Sequence, residues 1–216
     1  IFNELEVDEL CFLDIRATSN KKGPDFDILK QICDECFMPL SYGGGISDFD
    51  TAARIFELGF EKVILNTAAY HTPELITQLA SHFGSQAIIV SIDVKKNLFG
   101  KYNVFIGNGK IKTDVNPVDY AKKVCDAGAG ELLLTCMDKE GTWEGFDLGI
   151  TKKIAEAVPV PLIANGGAGS ISHIVSVVKE AGASAAALGS MVVYQKKGMG
   201  VLVNFPDKTE LEAKLS

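Results

Sequence analysis

The chain has 216 residues, 47% of them hydrophobic and 23% charged, with a net charge of −7 and an isoelectric point near 5.0. That length holds one large domain or two small ones, the balance is that of a folded chain rather than a disordered one, and the acidity argues against a general nucleic-acid surface while leaving room for a local phosphate site. No apolar run approaches the roughly 20 residues that span a bilayer, and the opening "IFNELEVDEL" has neither the basic region nor the cleavage site of a signal peptide.

In chain order, apolar stretches and helical periodicity alternate. Strands are expected over 10–15, 38–42, 62–66, 87–93, 131–136, 160–165 and 185–189. Helices are expected over about 27–37, 48–58, 73–82, 117–127, 148–157 and 171–181, with Gly59, Gly128 and Gly182 as C-cap glycines. After Asp93, "YNVFI" and "KIKTD" flank "GNGK", the pattern of a small inserted β-hairpin. Strands apolar at nearly every position are buried on both faces, which calls for a parallel sheet covered by helices. No linker divides the chain, so 1–216 is expected to form a single α/β domain.

The five cysteines are Cys11, Cys33, Cys36, Cys125 and Cys136. Their odd number and irregular spacing do not make a disulfide framework, so a reducing cytosol is expected. Cys33 and Cys36 form a solitary C-x-x-C late in a helix, without a second pair or a nearby histidine. His71, His82 and His173 lack metal-ligand spacing and read as surface or capping residues. No metal site and no cofactor is called for.

Two stretches about 120 residues apart follow one pattern. Residues 39–70 and 161–194 both run proline, apolar strand, glycine cluster, helix, glycine, apolar strand, small polar pair. The likeness extends to "DELCFLDI" against "GELLLTCMD", and to "GPDFDILKQI" against "WEGFDLGITKKI" with Phe26 opposite Phe146. Each repeat holds several βα units, so the pattern is that of two half-barrels, the second starting near residue 85, in a (β/α)8 TIM barrel. Seven strands are visible where eight close such a barrel. The first strand and most of the first helix are therefore expected upstream, in roughly 35 to 40 further residues.

In such a barrel the chemistry sits at the C-terminal ends of the strands. The clusters containing Gly44 and Gly45, and Gly166 and Gly167, end a strand and open a helix. Backbone N–H groups there cradle an anion, and glycine lets a phosphate approach. Asn66 with Thr67, and Gly189 with Ser190, end the next strands and add donors. Two cradles imply a ligand with a phosphate at each end. Asp14 and Asp93 follow apolar runs and are candidates for acid–base work, the alternative being carboxylates tied to loop amides. "TCMDKEGT" adds Thr135, Asp138 and Glu140 to these candidates, with Thr135 expected among the catalytic residues beside Asp14 and Asp93. At the opposite strand ends, Glu9, Lys62 and Glu131 read as solvated strand starts or as a plug of salt bridges.

The blocks "FLDI", "YGGGISDFDTA", "KVILNTAA", "GSQAIIVSID", "GAGELLLTCMDKEGT" and "IANGGAG" resemble the cyclase subunit of imidazole glycerol phosphate synthase. The likeness covers about residues 5–192 and implies a two-fold-repeated TIM barrel. It implies an ammonia-dependent cyclase/lyase of histidine biosynthesis, converting a bis-phosphorylated ribulosyl aminoimidazole carboxamide to imidazole glycerol phosphate and aminoimidazole carboxamide ribotide. It also implies a cytoplasmic heterodimer with a glutaminase (HisH-type) subunit that feeds ammonia through the barrel, with no nucleic acid or membrane partner. By position, Asp93 matches one catalytic aspartate, the other falling on the absent strand. Gly45, Asn66 and Thr67 match one phosphate site; Gly141, Gly167, Gly189 and Ser190 match the other. Glu9, Lys62 and Glu131 match three charged residues of the ammonia gate.

Two departures open alternatives. Glu140 stands where the family usually has aspartate, and the tail from Tyr194 resembles paralogues from surface-polysaccharide loci. A cyclase-like subunit delivering ammonia for acetamidino-sugar synthesis is the second expectation. A non-catalytic phosphate-binding scaffold is a weaker third.

Overall fold

The computed structural model describes residues 2–5, 7–17, 23–194, 198 and 200–215. Part of the divergent tail, 195–197 and 199, lies outside the described residues. The chain packs as two compact units. The first comprises 1–91, 105–112 and 123–131; the second comprises 92–104, 113–122 and 132–216.

In the first unit, β1 (Leu10–Leu13), β2 (Leu40–Gly43), β3 (Lys62–Leu65) and the first half of β4 (Ile88–Lys96) are joined by α1 (Phe26–Glu35), α2 (Phe49–Glu57), α3 (Thr67–His71) and α4 (Glu74–Phe83). All three strand pairings are parallel and sequential. Ile55, Val63, Ile76, Leu79, Ile88 and Val90 are fully buried between helices and sheet, as both-face apolar strands require. Phe56 stacks on Phe83 at 4.2 Å, which seats α2 against α4. A residue the sequence did not mark, Asn3, closes the end of α1. Its amide donates to Glu35 O at 2.8 Å and its Oδ1 accepts from Phe37 N at 3.1 Å.

The second unit carries β5 (Tyr102–Ile106) up to Val104, the start of α5 (Pro117–Asp126), and β7 (Glu131–Cys136) from Leu132 onward. It continues through α6 (Leu148–Ala155), β8 (Leu162–Asn165), α7 (Ile171–Lys179), β9 (Ala185–Ala186), α8 (Ser190–Val193) and α9 (Lys208–Leu215). Its core is Phe146, Ala164, Ala168, Ile174, Val177, Ala181 and Ala183, with Leu211 of α9 packed against it. Four alanines in that set let α7 lie close on the sheet.

Hydrogen-bonded neighbours follow the order β1-β2-β3-β4-β7-β8-β9, with β5 paired to β4 and to β6 (Ile111–Lys112). Sequential parallel pairing with helices between the strands is the (β/α)8 type of α/β fold. The expected hairpin is present, Phe105 opposite Lys112. Among the described residues β1 pairs only with β2, and β9 only with β8. Leu13 and Ile15 are correspondingly 47% and 67% exposed.

The two repeats match at the level of backbone angles. Asp25 caps α1 at φ −86°, ψ 92°, and Asp147 caps α6 at φ −80°, ψ 93°. Asp48 and Ser170 precede α2 and α7 at φ −152°, ψ 170° and φ −161°, ψ 162°. The counterpart of Phe26 is therefore Leu148, not Phe146. Matching aromatic to aromatic misplaced the repeat; the capping aspartate fixes where each helix begins, and buried Phe146 corresponds to buried Pro24.

One strand runs further than its apolar pattern. β4 continues past Asp93 to Lys96, because Val94 O accepts from Met137 N at 2.9 Å and Lys96 N donates to Asp138 Oδ2 at 2.7 Å. The tip is closed by Asn97, whose Oδ1 accepts from the amides of Phe99 and Lys101.

Asp147 does more than its partner in the repeat. Its Oδ1 takes the Gly149 and Ile150 amides at 3.1 and 3.3 Å, and its Oδ2 accepts from the Tyr102 hydroxyl at 2.6 Å. Burial first, and then Asp147, push the Tyr102 phenol above its usual range. Replacing Asp147 with Ala is expected to lower unfolding free energy by about 2–3 kcal/mol, against about 1 kcal/mol for Asp25→Ala, in paired urea titrations.

Candidate functional site

Strand alternation decides which side chains share a face. Lys62 and Ile64 lie on one face of β3, and Ile64 is opposite Ile89 in β4. The β4 residues of that face are therefore Ile89, Ser91 and Asp93. On β7 and β8, Thr135 is opposite Asn165.

At the N-terminal strand ends of the first unit, Lys62 Nζ lies 2.8 Å from Glu9 Oε2 and 2.8 Å from Glu131 Oε1. The three charges expected to be either solvated or paired are paired. Their side chains are only 20%, 27% and 17% exposed, in that order. Burial pulls the Lys62 pKa down, but the hydrogen bonds and charges of Glu131 and Glu9 outweigh it and raise the pKa above 10.5.

At the C-terminal ends of the same unit, the first glycine turn is closed to side chains. A Cβ on Gly44, at φ 138°, would sit 2.6 Å from Asp14 O; one on Gly45, at φ 66°, would sit 2.9 Å from Ala17 Cβ and 3.0 Å from Gly23 Cα. Asp14 is half-buried, and its Oδ1 accepts from the Arg16 and Ala17 amides at 2.8 and 3.0 Å. It thus shapes the loop that the turn abuts. Asn66 donates to Ser91 O at 3.1 Å, and the Thr67 hydroxyl donates to Asn66 Oδ1 over a longer 3.3 Å. Thr67 opens α3, a five-residue helix too short for the sequence periodicity to show. A cavity of about 420 Å³ adjoins this turn, lined among others by Asp14, Arg16, Gly23, Asp25 and Arg54.

The second unit builds its turn the same way. A Cβ on Gly166, at φ 92°, would sit 2.7 Å from Cys136 O; one on Gly167, at φ 110°, would sit 2.2 Å from Gly145 O. Gly189 precedes α8 at φ −104°, ψ −90°, close to the φ −125°, ψ −83° of Asn66 before α3. Gly141 is different: it has φ 68° but nothing within 4 Å of a Cβ, so it shapes the loop without a close neighbour. The Glu140 carboxylate points into this region, its Oε1 3.9 Å from where a Gly189 Cβ would stand. Lys139 Cβ is 3.2 Å from the Cβ position of Gly167.

Asp93 lies inside β4, half-buried between fully buried Ile92 and Val94. Thr135 Oγ1 accepts from Asn165 Nδ2 at 3.2 Å, which leaves its proton to donate elsewhere. Asn165 was visible only as the last residue of a strand; its use emerges from the β7–β8 register. Trp143, the chain's one tryptophan, holds a left-handed φ of 67° beside Gly169, whose Cβ would meet Trp143 O at 2.4 Å.

The remaining chemical groups are quiet. Cys33 and Cys36 are free thiols, both pushed up by burial and by neighbouring acidic groups, so neither is a ready thiolate. His71 and His82 are exposed as expected; His173, in the first turn of α7, is half-buried, its ring 3.3 Å from the Cβ position of Gly145 and its Nδ1 buried without a hydrogen-bond partner. Among the described residues no group of three or more His, Cys, Asp and Glu side chains could hold a metal ion, and no helix is long and apolar enough to cross a membrane.

Fold and turns together define an α/β protein of the (β/α)8 type built from a duplicated strand–glycine–helix unit. The family model described as histidine biosynthesis protein matches residues 1–198, and the chain belongs to that family. The provisionally named imidazole glycerol phosphate synthase subunit HisF of Leptospira borgpetersenii is 42% identical over 99% of this chain and 84% of its own length. The provisionally named subunit hisF2 of Pseudomonas aeruginosa is 42% identical over 98% and 84%. The imidazole glycerol phosphate synthase subunit HisF of Alkaliphilus metalliredigens is 41% identical over 90% and 77%. These relatives are named as subunits of a multi-subunit synthase.

The sign of the Lys62 shift sets a pH test. A raised lysine pKa contributes stability that is complete below the unfolded value and is lost as pH rises through the folded one. Lys62→Met leaves Glu9 and Glu131 facing each other and is expected to cost about 1–2 kcal/mol at neutral pH. In urea titrations the gap to the parent should stay constant up to pH 10.5 and narrow above it.

Proposed function

We propose that the chain is the cyclase subunit of an imidazole glycerol phosphate synthase. It joins ammonia to a bis-phosphorylated ribulosyl aminoimidazole carboxamide and releases imidazole glycerol phosphate, aminoimidazole carboxamide ribotide and water. The observation that carries this reading is the matched construction of the two glycine turns, down to the backbone angles before α3 and α8. Each turn offers N–H groups and a hydroxyl residue, Thr67 or Ser190, to one phosphate, and the substrate has two. Family membership supplies the chemistry that uses them.

Asp93 is the acid–base residue. It lies within β4, where strand packing fixes its direction. The Thr135 hydroxyl, oriented by Asn165, is a second donor on the reacting side. Asp14 holds the loop beside Gly44. Ammonia comes from a glutaminase of the HisH type at the end of the sheet where Glu9, Lys62 and Glu131 meet, and the Lys62 salt bridges form its gate. The complex works in the cytoplasm and uses no cofactor. With ammonium salts replacing the glutaminase, the full-length parent protein should turn the bis-phosphate over. Asp93→Asn should lower kcat by about 10²–10⁴ with its fold intact by circular dichroism; a parent with no turnover sinks the reading.

One observation favours a second reading. Glu140 places a carboxylate 3.9 Å from the Cβ position of Gly189, where a phosphate dianion would be repelled. A subunit that passes ammonia on for the synthesis of an acetamidino sugar needs no second phosphate. Glu140→Gln removes that charge. On the second reading it should tighten inorganic phosphate about fivefold or more, followed through Trp143 fluorescence, without creating turnover of the bis-phosphate. Turnover by the parent itself rejects this alternative.

A further inference from the structure

The turn between β5 and β6 has a role that the cyclase reading leaves unassigned. Gly107, Asn108 and Gly109 hold φ 62°, 62° and 70° in succession. Two glycines adopt that conformation freely, and asparagine is among the few other residues that do so readily. The tip is anchored from both sides. Ile106 is fully buried, and Ile106 pairs with Ile111 across the hairpin. The Asn108 side-chain amide donates to the Ile15 carbonyl in the loop that follows β1. The Gly107 N–H donates to Thr67 Oγ1 at 3.0 Å.

That last bond constrains a hydroxyl. Thr67 Oγ1 has one proton to give and two lone pairs. Gly107 N–H fills a lone pair, so the proton must point away from the hairpin. Its present acceptor, Asn66 Oδ1, is 3.3 Å off, a weak bond that a phosphate oxygen would displace. With Gly107 in place, Thr67 meets a phosphate as a donor. Without it, the hydroxyl can rotate and present a lone pair to the anion.

We propose that Asn108 is a positioning residue for the first phosphate cradle: by tying the hairpin tip to the Ile15 carbonyl it keeps the Gly107 N–H on Thr67 Oγ1, which directs the Thr67 proton at the phosphate of the substrate. The proposal rests on the reading of Asn66 and Thr67 as phosphate ligands. It assigns a function to the inserted hairpin, and it explains why its turn is Gly-Asn-Gly rather than a glycine run: the left-handed angles need glycine or asparagine, and only asparagine supplies the second anchor.

Two variants separate anchor from backbone. Asn108→Gly keeps the left-handed turn and removes the side-chain donor. It is expected to raise KM for the bis-phosphate about tenfold with kcat within about twofold, and to weaken inorganic phosphate by a similar factor, followed by the Gly107 amide resonance. Thr67→Ser, which keeps the hydroxyl, should leave that resonance in place, and Thr67→Val should shift it. Parent turnover together with an unchanged KM and phosphate affinity in Asn108→Gly overturns the proposal and leaves the cyclase reading standing. A parent without turnover whose phosphate affinity still falls on Asn108→Gly sinks the cyclase reading and keeps the positioning role.

Discussion

The structure depends on closed space at two glycine turns. A side chain at Gly44 would enter the Asp14 carbonyl at 2.6 Å, and one at Gly166 would enter the Cys136 carbonyl at 2.7 Å. Both residues also hold positive φ. Each turn can therefore form only with glycine, and each brings the end of one strand against the loop leaving its neighbour. The consequence is close backbone-to-backbone packing that no side chain could enter. On the proposed reading the same turns receive phosphate, so folding and the proposed binding would draw on the same residues.

Duplication spreads this constraint through each unit. The capping angles of Asp25 and Asp147 agree within 6°, and Asn66 and Gly189, before the short helices α3 and α8, share one backbone region with φ −125° and −104° and ψ −83° and −90°. What differs between the repeats is side-chain chemistry. Asp14 caps its own loop where Cys136 offers only a carbonyl, Asn66 offers an amide where Gly189 offers bare backbone, and Glu140 brings a carboxylate near the second turn. One scaffold made twice has been given two different linings, which fits the unlike ends of the proposed substrate.

Much of this was legible in the chain. Both-face apolar strands, capped helices and C-cap glycines each have a local cause, and the six long helices begin and end within about two residues of expectation. Other features have no local cause. The extension of β4 past Asp93 comes from hydrogen bonds with residues more than forty positions away, at Met137 and Asp138. The helices at Thr67 and Ser190 are too short to show a period. The Lys62 salt bridges required knowing that three strand starts converge; the sequence allowed both pairing and solvation. The partial burial of His173 has no local cause either, since it comes from Gly145, in a different βα unit. The repeat itself was slightly misaligned because aromatic identity is conspicuous and a capping aspartate is not.

In the proposed reading the Lys62 salt bridges, the glycine turns and the hairpin tip have separate jobs, and the assignment of the turns to phosphate underlies them all. The most direct measurement is a crystal structure of the chain grown with inorganic phosphate. The account predicts two bound anions, one on the N–H groups beside Gly45, Asn66 and Thr67, the other beside Gly167, Gly189 and Ser190. Density at neither turn, with phosphate bound elsewhere, would contradict it.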